Sequence, residues 1–196
     1  VAGIRLSEEY GRIVIDYPFE GSIFPPEIVS PRFLWHDGTK GAGLWLVDVS
    51  FDTSPRHIYA LTSARLPQRR IDLEAVSPAN EYYKPSDYEL SAKAWTPDEA
   101  AWGLIKASSM EGPATVTILG LSGGDLKVLS RAAVRISTSA DRVGAPIFYG
   151  DVPLMPSKTS KGEIKPLAQG ALPLISWRLR DISKASAPVV LKDMPT

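Results

Sequence analysis

Seventeen prolines and fifteen glycines are scattered along the 196 residues. Proline brings no amide hydrogen to a helix interior or a central strand, and glycine loses the most backbone freedom there. Spread this evenly, the two residues cut the chain into short segments. That distribution excludes a helical bundle and leaves strands as the main element.

The segments between the breaks carry a strand-like pattern. Gly11 to Tyr17 reads Gly-Arg-Ile-Val-Ile-Asp-Tyr and stops at Pro18. Phe19 to Pro31 contains Pro25, Pro26 and Pro31 and is excluded from the centre of a sheet. Arg32 to His36 sets Phe33 and Trp35 on one face, and Asp37 to Gly41 is a turn. In Leu44 to Phe51, Trp45, Val47, Val49 and Phe51 alternate with Leu44, Leu46, Asp48 and Ser50, the period of a half-buried strand. His57 to Thr62 is a further strand.

Residues 63–94 read as a long loop with at most a short strand near Ile71 to Val76. One helix is well marked. Thr96 caps it, Pro97 takes the first position, Glu99 follows three residues after Thr96, and Gly112-Pro113 stops it. Trp102, Ile105 and Met110 line its apolar side. Ala114 to Leu121 and Leu126 to Ser137, joined by the turn Ser122 to Asp125, form the clearest hairpin.

These elements predict a mainly β fold: an immunoglobulin/fibronectin-III-like β-sandwich over residues 1–141, with one short helix. Residues 142–196 form an extended C-terminal segment, too short for its own core and too apolar to float free. It is expected to pack on the sandwich, on a following domain or on a partner. Within it, Ile175, Trp177 and Leu179 alternate, and Val189, Val190 and Leu191 make a short apolar strand. These six are the candidate docking residues.

Charge and composition narrow the function. Lysine plus arginine equals aspartate plus glutamate at 22 each, so no net field attracts nucleic acid or anionic lipid. Lys158, Lys161 and Lys165 lie in a Ser/Pro/Gly loop that suits solubility better than backbone tracking. The chain has no cysteine, which removes disulfides, thiolate metal sites and cysteine nucleophiles. No apolar run approaches the roughly 18 residues of a membrane helix.

The candidate chemistry is thin. His36 and His57, the two histidines, match no zinc spacing and read as surface or hydrogen-bonded structural residues. Ser122 sits beside two glycines, but a hairpin turn explains those residues. Asp98 and Glu99 fit a helix first turn. Asp48 and Asp52 are a sparse calcium set, better read as a solvated strand end. Gly38 to Gly43 lacks the Gly-Lys-Ser/Thr ending of a phosphate loop. The expectation is a non-enzymatic protein without cofactor or metal.

Aromatic residues carry the binding case. Trp35, Trp45, Trp102 and Trp177 fall in strand or helix patterns and belong to cores, and Trp95 is placed at the helix entrance. Tyr82, Tyr83 and Tyr88 cluster in the proline-bearing loop. They either pin that loop down or stack on sugar rings as a carbohydrate site.

Tyr17 to Pro26, followed by Pro31-Arg32-Phe33-Leu34-Trp35, resembles the opening strands of bacterial fibronectin-III-like and immunoglobulin-like domains. Gly144 to Ser157 with Leu172 to Arg180 resembles the N-terminal region of large exported bacterial proteins that continue into a c-type haem motif and a TolB/WD40-like β-propeller. The chain holds no Cys-x-x-Cys-His, so the haem chemistry of that family transfers to no residue here. The resemblance implies an accessory, non-catalytic interaction module of an exported protein or multi-subunit complex, periplasmic or extracellular. Its partner would be another protein or the remainder of a longer polypeptide. A start on Val-Ala-Gly fits a processed exported chain.

Overall fold

A computed structural model describes Ile4 and residues 9–66, 86–152, 169–185 and 188–191. They fall into two units: Ile4, 9–66 and 86–143 in the first, and 144–152, 169–185 and 188–191 in the second. The short strand expected near Ile71 to Val76 lies outside the described residues.

The first unit contains β1 (Gly11–Tyr17), β2 (Ser22–Phe24), β3 (Phe33–Asp37), β4 (Ala42–Phe51), β5 (Ser54–Thr62), α1 (Asp87–Ser91), β6 (Lys93–Trp95), α2 (Glu99–Ser108), β7 (Ala114–Ser122) and β8 (Val128–Thr138). Hydrogen bonding runs β5-β4-β7-β8-β1-β3-β6, with β2 also on β8. The β1–β8 and β2–β8 pairs are parallel, and the others are antiparallel. The sheet is therefore mixed. It also curls, because the Ala94 amide in β6 donates to the Ala64 carbonyl just past β5 at 3.0 Å.

The alternation in β4 lands as its period demands. Trp45, Val47, Val49 and Phe51 are all buried. They join Ile13 of β1, Phe33 and Trp35 of β3, and Val116 and Ile118 of β7 in one cluster. Each such aliphatic side chain contributes about 1.5–3 kcal/mol on burial. The Trp35 and Trp45 rings meet edge to face, with centroids 6.4 Å apart. Leu46, on the other face of β4, packs with Leu121 and Val128 in a smaller second cluster.

A polar knot ties β3 to this core. Asp37 ends β3, and its Oδ1 accepts from the Thr39 amide as the chain turns. Its Oδ2 accepts from Trp45 Nε1 at 2.9 Å and from Ser130 Oγ at 2.6 Å. Trp45 and Ser130 are buried, so each donor depends on this oxygen. Gly120 makes room for it, since a Cβ there would collide with Ser130 Oγ and lie 2.6 Å from Asp37 Oδ2.

The single expected helix becomes two. Helix α1 is a five-residue turn with a full capping box, Ser86 and Glu89 each binding the other's amide. It falls in the stretch read as a loop. One turn of helix is too short to show a 3.6-residue period. In α2 the cap is Asp98 rather than Thr96, and its side chain accepts from the Ala101 amide at 2.7 Å. A carboxylate serves the positive helix end better than a hydroxyl does.

Trp102 and Ile105 are buried as expected, whereas Met110 lies beyond the helix and is exposed. Trp95 belongs to β6, where it packs on Phe33 at 5.2 Å, and does not staple the α2 cap. Trp102 Nε1 and Lys106 Nζ hold the carbonyls of Ile28 and Pro26, fixing the proline-rich segment against α2.

The second unit has β9 (Ile147–Asp151), a 3₁₀ helix (Gln169–Leu174), β10 (Ser176–Arg180) and β11 (Val189–Leu191). Its three strands form an antiparallel sheet in the order β11-β10-β9.

The knot generates a stability prediction. Asp37→Ala strands two buried donors and lowers unfolding stability by about 2 kcal/mol or more. Asp37→Asn retains an acceptor and loses less, while Gly120→Ala approaches the alanine variant. Urea midpoints of the three variants give the comparison.

Candidate functional site

The small sheet gathers most of the candidate docking residues. Trp177 pairs with Leu191 and with Gly150, and Leu179 pairs with Val189 and with Phe148. Residues directly opposite in a sheet share a face, as do residues two apart along a strand. One face therefore carries Phe148, Trp177, Leu179, Val189 and Leu191. The Phe148 and Trp177 rings stack 4.9 Å apart at 8°. Gly150 lies beneath the indole, where even a Cβ would meet the Trp177 ring at an ordinary contact distance of 3.4 Å. Phe148 remains 56% exposed and Val189 64% exposed, far more than core residues.

The opposite face is mostly polar. Arg178 Nε binds Asp151 Oδ2 at 2.8 Å, and Tyr149 pairs with Arg178. Val190 and Ile147 are the apolar exceptions, placed opposite Arg178 and Arg180 and away from the apolar face. Ile175 precedes β10 and is half-buried. Trp177 lies on this sheet, half-buried, and not in the core of the first unit.

The second candidate site divides. Tyr82 and Tyr83 lie outside the described residues. Tyr88 stands on α1 and stacks on His36 with centroids 3.7 Å apart. Its hydroxyl donates to Asp16 Oδ1 at 2.8 Å. His36 uses both ring nitrogens: Nε2 lies 2.7 Å from Asp16 Oδ2, and Nδ1 lies 2.9 Å from Ser91 Oγ. His36 and Tyr88 thus clasp α1 onto β1 and β3, and one face of the Tyr88 ring is already covered. Sequence reading separated these four residues, because they lie up to 75 positions apart and match no motif.

Ser91, His36 and Asp16 have the hydrogen-bond order of a nucleophile, a base and an orienting acid. The surroundings favour the clasp over the relay. Ser91 closes α1, and its Oγ also donates to the Tyr88 carbonyl at 2.7 Å. A helix C-terminus gathers carbonyl oxygens and negative potential, which oppose an oxyanion. A cationic ring serves both of its partners as a donor. A neutral ring keeps both bonds if Ser91 turns its hydrogen onto Nδ1.

The remaining candidates are engaged elsewhere. Asp48 Oδ1 pairs with His57 Nδ1 at 2.7 Å, and Asp52 Oδ2 with Arg135 at 2.8 Å. Ser122 Oγ donates to Asp125 Oδ1 and accepts from the Lys127 amide. Among the described residues no three histidine, aspartate or glutamate side chains converge as a metal set, and no helix is long and apolar enough to cross a membrane. No protein-family model matches the chain, and no curated protein matches it in sequence.

The clasp has a spectroscopic signature. The bond to ionised Asp16 raises the Tyr88 pKa above the ordinary 10.0, with desolvation and the Asp16 charge adding to the effect. A raised pKa contributes stability that is fully present below pH 10.0 and lost as pH climbs through the folded-state value. Ultraviolet difference titration against Tyr88→Phe should place the midpoint above 10.0. Asp16→Ala should return it toward an unperturbed tyrosine.

Proposed function

We propose that the chain is a non-catalytic interaction module of an exported bacterial protein or multi-subunit complex, docking through the apolar face of its small sheet. The observation that carries this reading is the two-sided character of that sheet. Phe148, Trp177, Leu179, Val189 and Leu191 share a face, and the Arg178–Asp151 pair holds the other. A sheet with one apolar face gains little until that face is covered.

The order of strands in the first unit supports an immunoglobulin/fibronectin-III-like sandwich. The arms β5-β4-β7-β8 and β1-β3-β6 contribute to one shared core, joined through a parallel first-to-last pairing. The resemblance of Gly144 to Ser157 with Leu172 to Arg180 to the N-terminal region of large exported bacterial proteins supports a periplasmic or extracellular assembly with a haem-bearing or propeller-bearing chain. A carbohydrate-binding role takes second place, because His36 occupies one ring face of Tyr88.

Native mass spectrometry of the protein from its own source tests the docking reading. The expected particle is heavier than the 21.3 kDa chain and contains a different polypeptide. Val189→Lys, at an exposed position, should release the chain as a folded monomer. A wild-type monomer, or a complex indifferent to Val189→Lys, overturns the proposal.

A further inference from the structure

A second surface, on the first unit and independent of the small sheet, carries an inference of its own. Strand β5 lies at the end of the hydrogen-bonded order, with β4 on one side and no strand on the other among the described residues. Its C-terminal end is closed off where the chain turns to the Ala64–Ala94 bond. At its start the pairing with β4 bulges over Pro55 and Arg56, and the Arg56 amide binds Ser54 Oγ at 3.3 Å, so the open stretch runs from His57 to Thr62.

Natural edges are blunted with lysine, proline, a bulge or a covering element. Here Pro55 and the bulge at Pro55–Arg56 guard only the start, and the open stretch reads His-Ile-Tyr-Ala-Leu-Thr. Tyr59 and Leu61 point outward, 48% and 60% exposed. Ile58 and Ala60 point to the core and pack against it.

Beside this edge lies a depression of about 290 Å³, lined by Phe51, Arg56, His57, Ile58, Leu104 and Ser108. It opens between β5 and α2, where Leu104 is exposed. Arg56 has no carboxylate partner among the described residues. The His57 ring is held on Asp48 and stacked on Tyr59 at 5.5 Å, so it stays clear of the edge backbone.

We infer that β5 receives an extended strand from another polypeptide, added to the sheet edge with a carboxylate beside Arg56. The edge backbone selects an extended peptide, because only a strand matches its row of amides and carbonyls. Alternate side chains of that strand fall over the depression, where Ile58 and Leu104 favour an apolar group. The intervening ones lie along Tyr59 and Leu61, and the unpaired guanidinium at the rim asks for an acidic residue. Its occupant is therefore an apolar, singly acidic strand.

The test uses the intact chain and a synthetic peptide of about six residues that alternates valine and threonine around one glutamate. Binding is followed by fluorescence anisotropy and by amide chemical shifts. Binding that saturates below about 1 mM is expected, with shifts centred on His57 to Thr62. The same peptide N-methylated at alternate residues should not bind. Arg56→Glu should weaken the glutamate peptide about fivefold and favour a lysine counterpart. Since Arg56 is exposed, that variant keeps the fold. The inference is overturned by a lack of saturable binding, by binding that survives N-methylation, or by shifts away from β5. It is also overturned if β5 instead pairs with a second copy, seen as a dimer that Tyr59→Lys dissociates.

Discussion

The Asp37 carboxylate fixes how the two halves of the first unit meet. It is the last residue of β3, yet its oxygens reach the turn, the indole of β4 and the hydroxyl of β8. The apolar cluster supplies more energy, but hydrophobic burial is non-directional and tolerates sliding. A half-buried carboxylate that satisfies two buried donors does not slide, because each lost bond leaves a buried donor dry. The edge-to-face contact of Trp35 and Trp45 and the glycine at position 120 fall into place around that constraint.

The parts legible in the sequence were those with a long, repeated pattern. Strand β4 announced its buried face through four alternating apolar residues, and the β7–β8 hairpin through its Gly-Gly turn. Trp102 and Ile105 were readable as the buried side of α2. Short elements were not legible. Helix α1 and strand β6 are five and three residues long, and their signal is local capping or a pairing partner far along the chain. The α2 boundary moved by two residues because Thr96 and Asp98 are both good caps, and the choice between them is electrostatic.

The candidate sites divided along the same line. The apolar face of the small sheet was visible as alternation at Trp177 and Leu179, and register then separated Val190 from its neighbours. Gly150 and Phe148 joined that face through pairing alone, which no local pattern encodes. The clasp at His36 was invisible for a different reason. Asp16, His36, Tyr88 and Ser91 come from three elements, and only the fold makes them neighbours. Tyr88 was singled out for an exposed ring, and the structure gives one face of that ring a structural partner.

The parallel alignment of β1 with β8 governs how the unit bears mechanical load. The first and last strands of the unit lie side by side and point the same way, with Gly11 opposite Ser130 and Arg12 opposite Arg131. Strand β2 adds a second parallel patch from Ser22 to Phe24 on the same partner. Tension entering before β1 and leaving after β8 pulls the two strands along their length in opposite directions. The hydrogen bonds between them are then sheared together instead of being peeled one after another. The same pairing that joins the two arms thus serves as a tensile clamp.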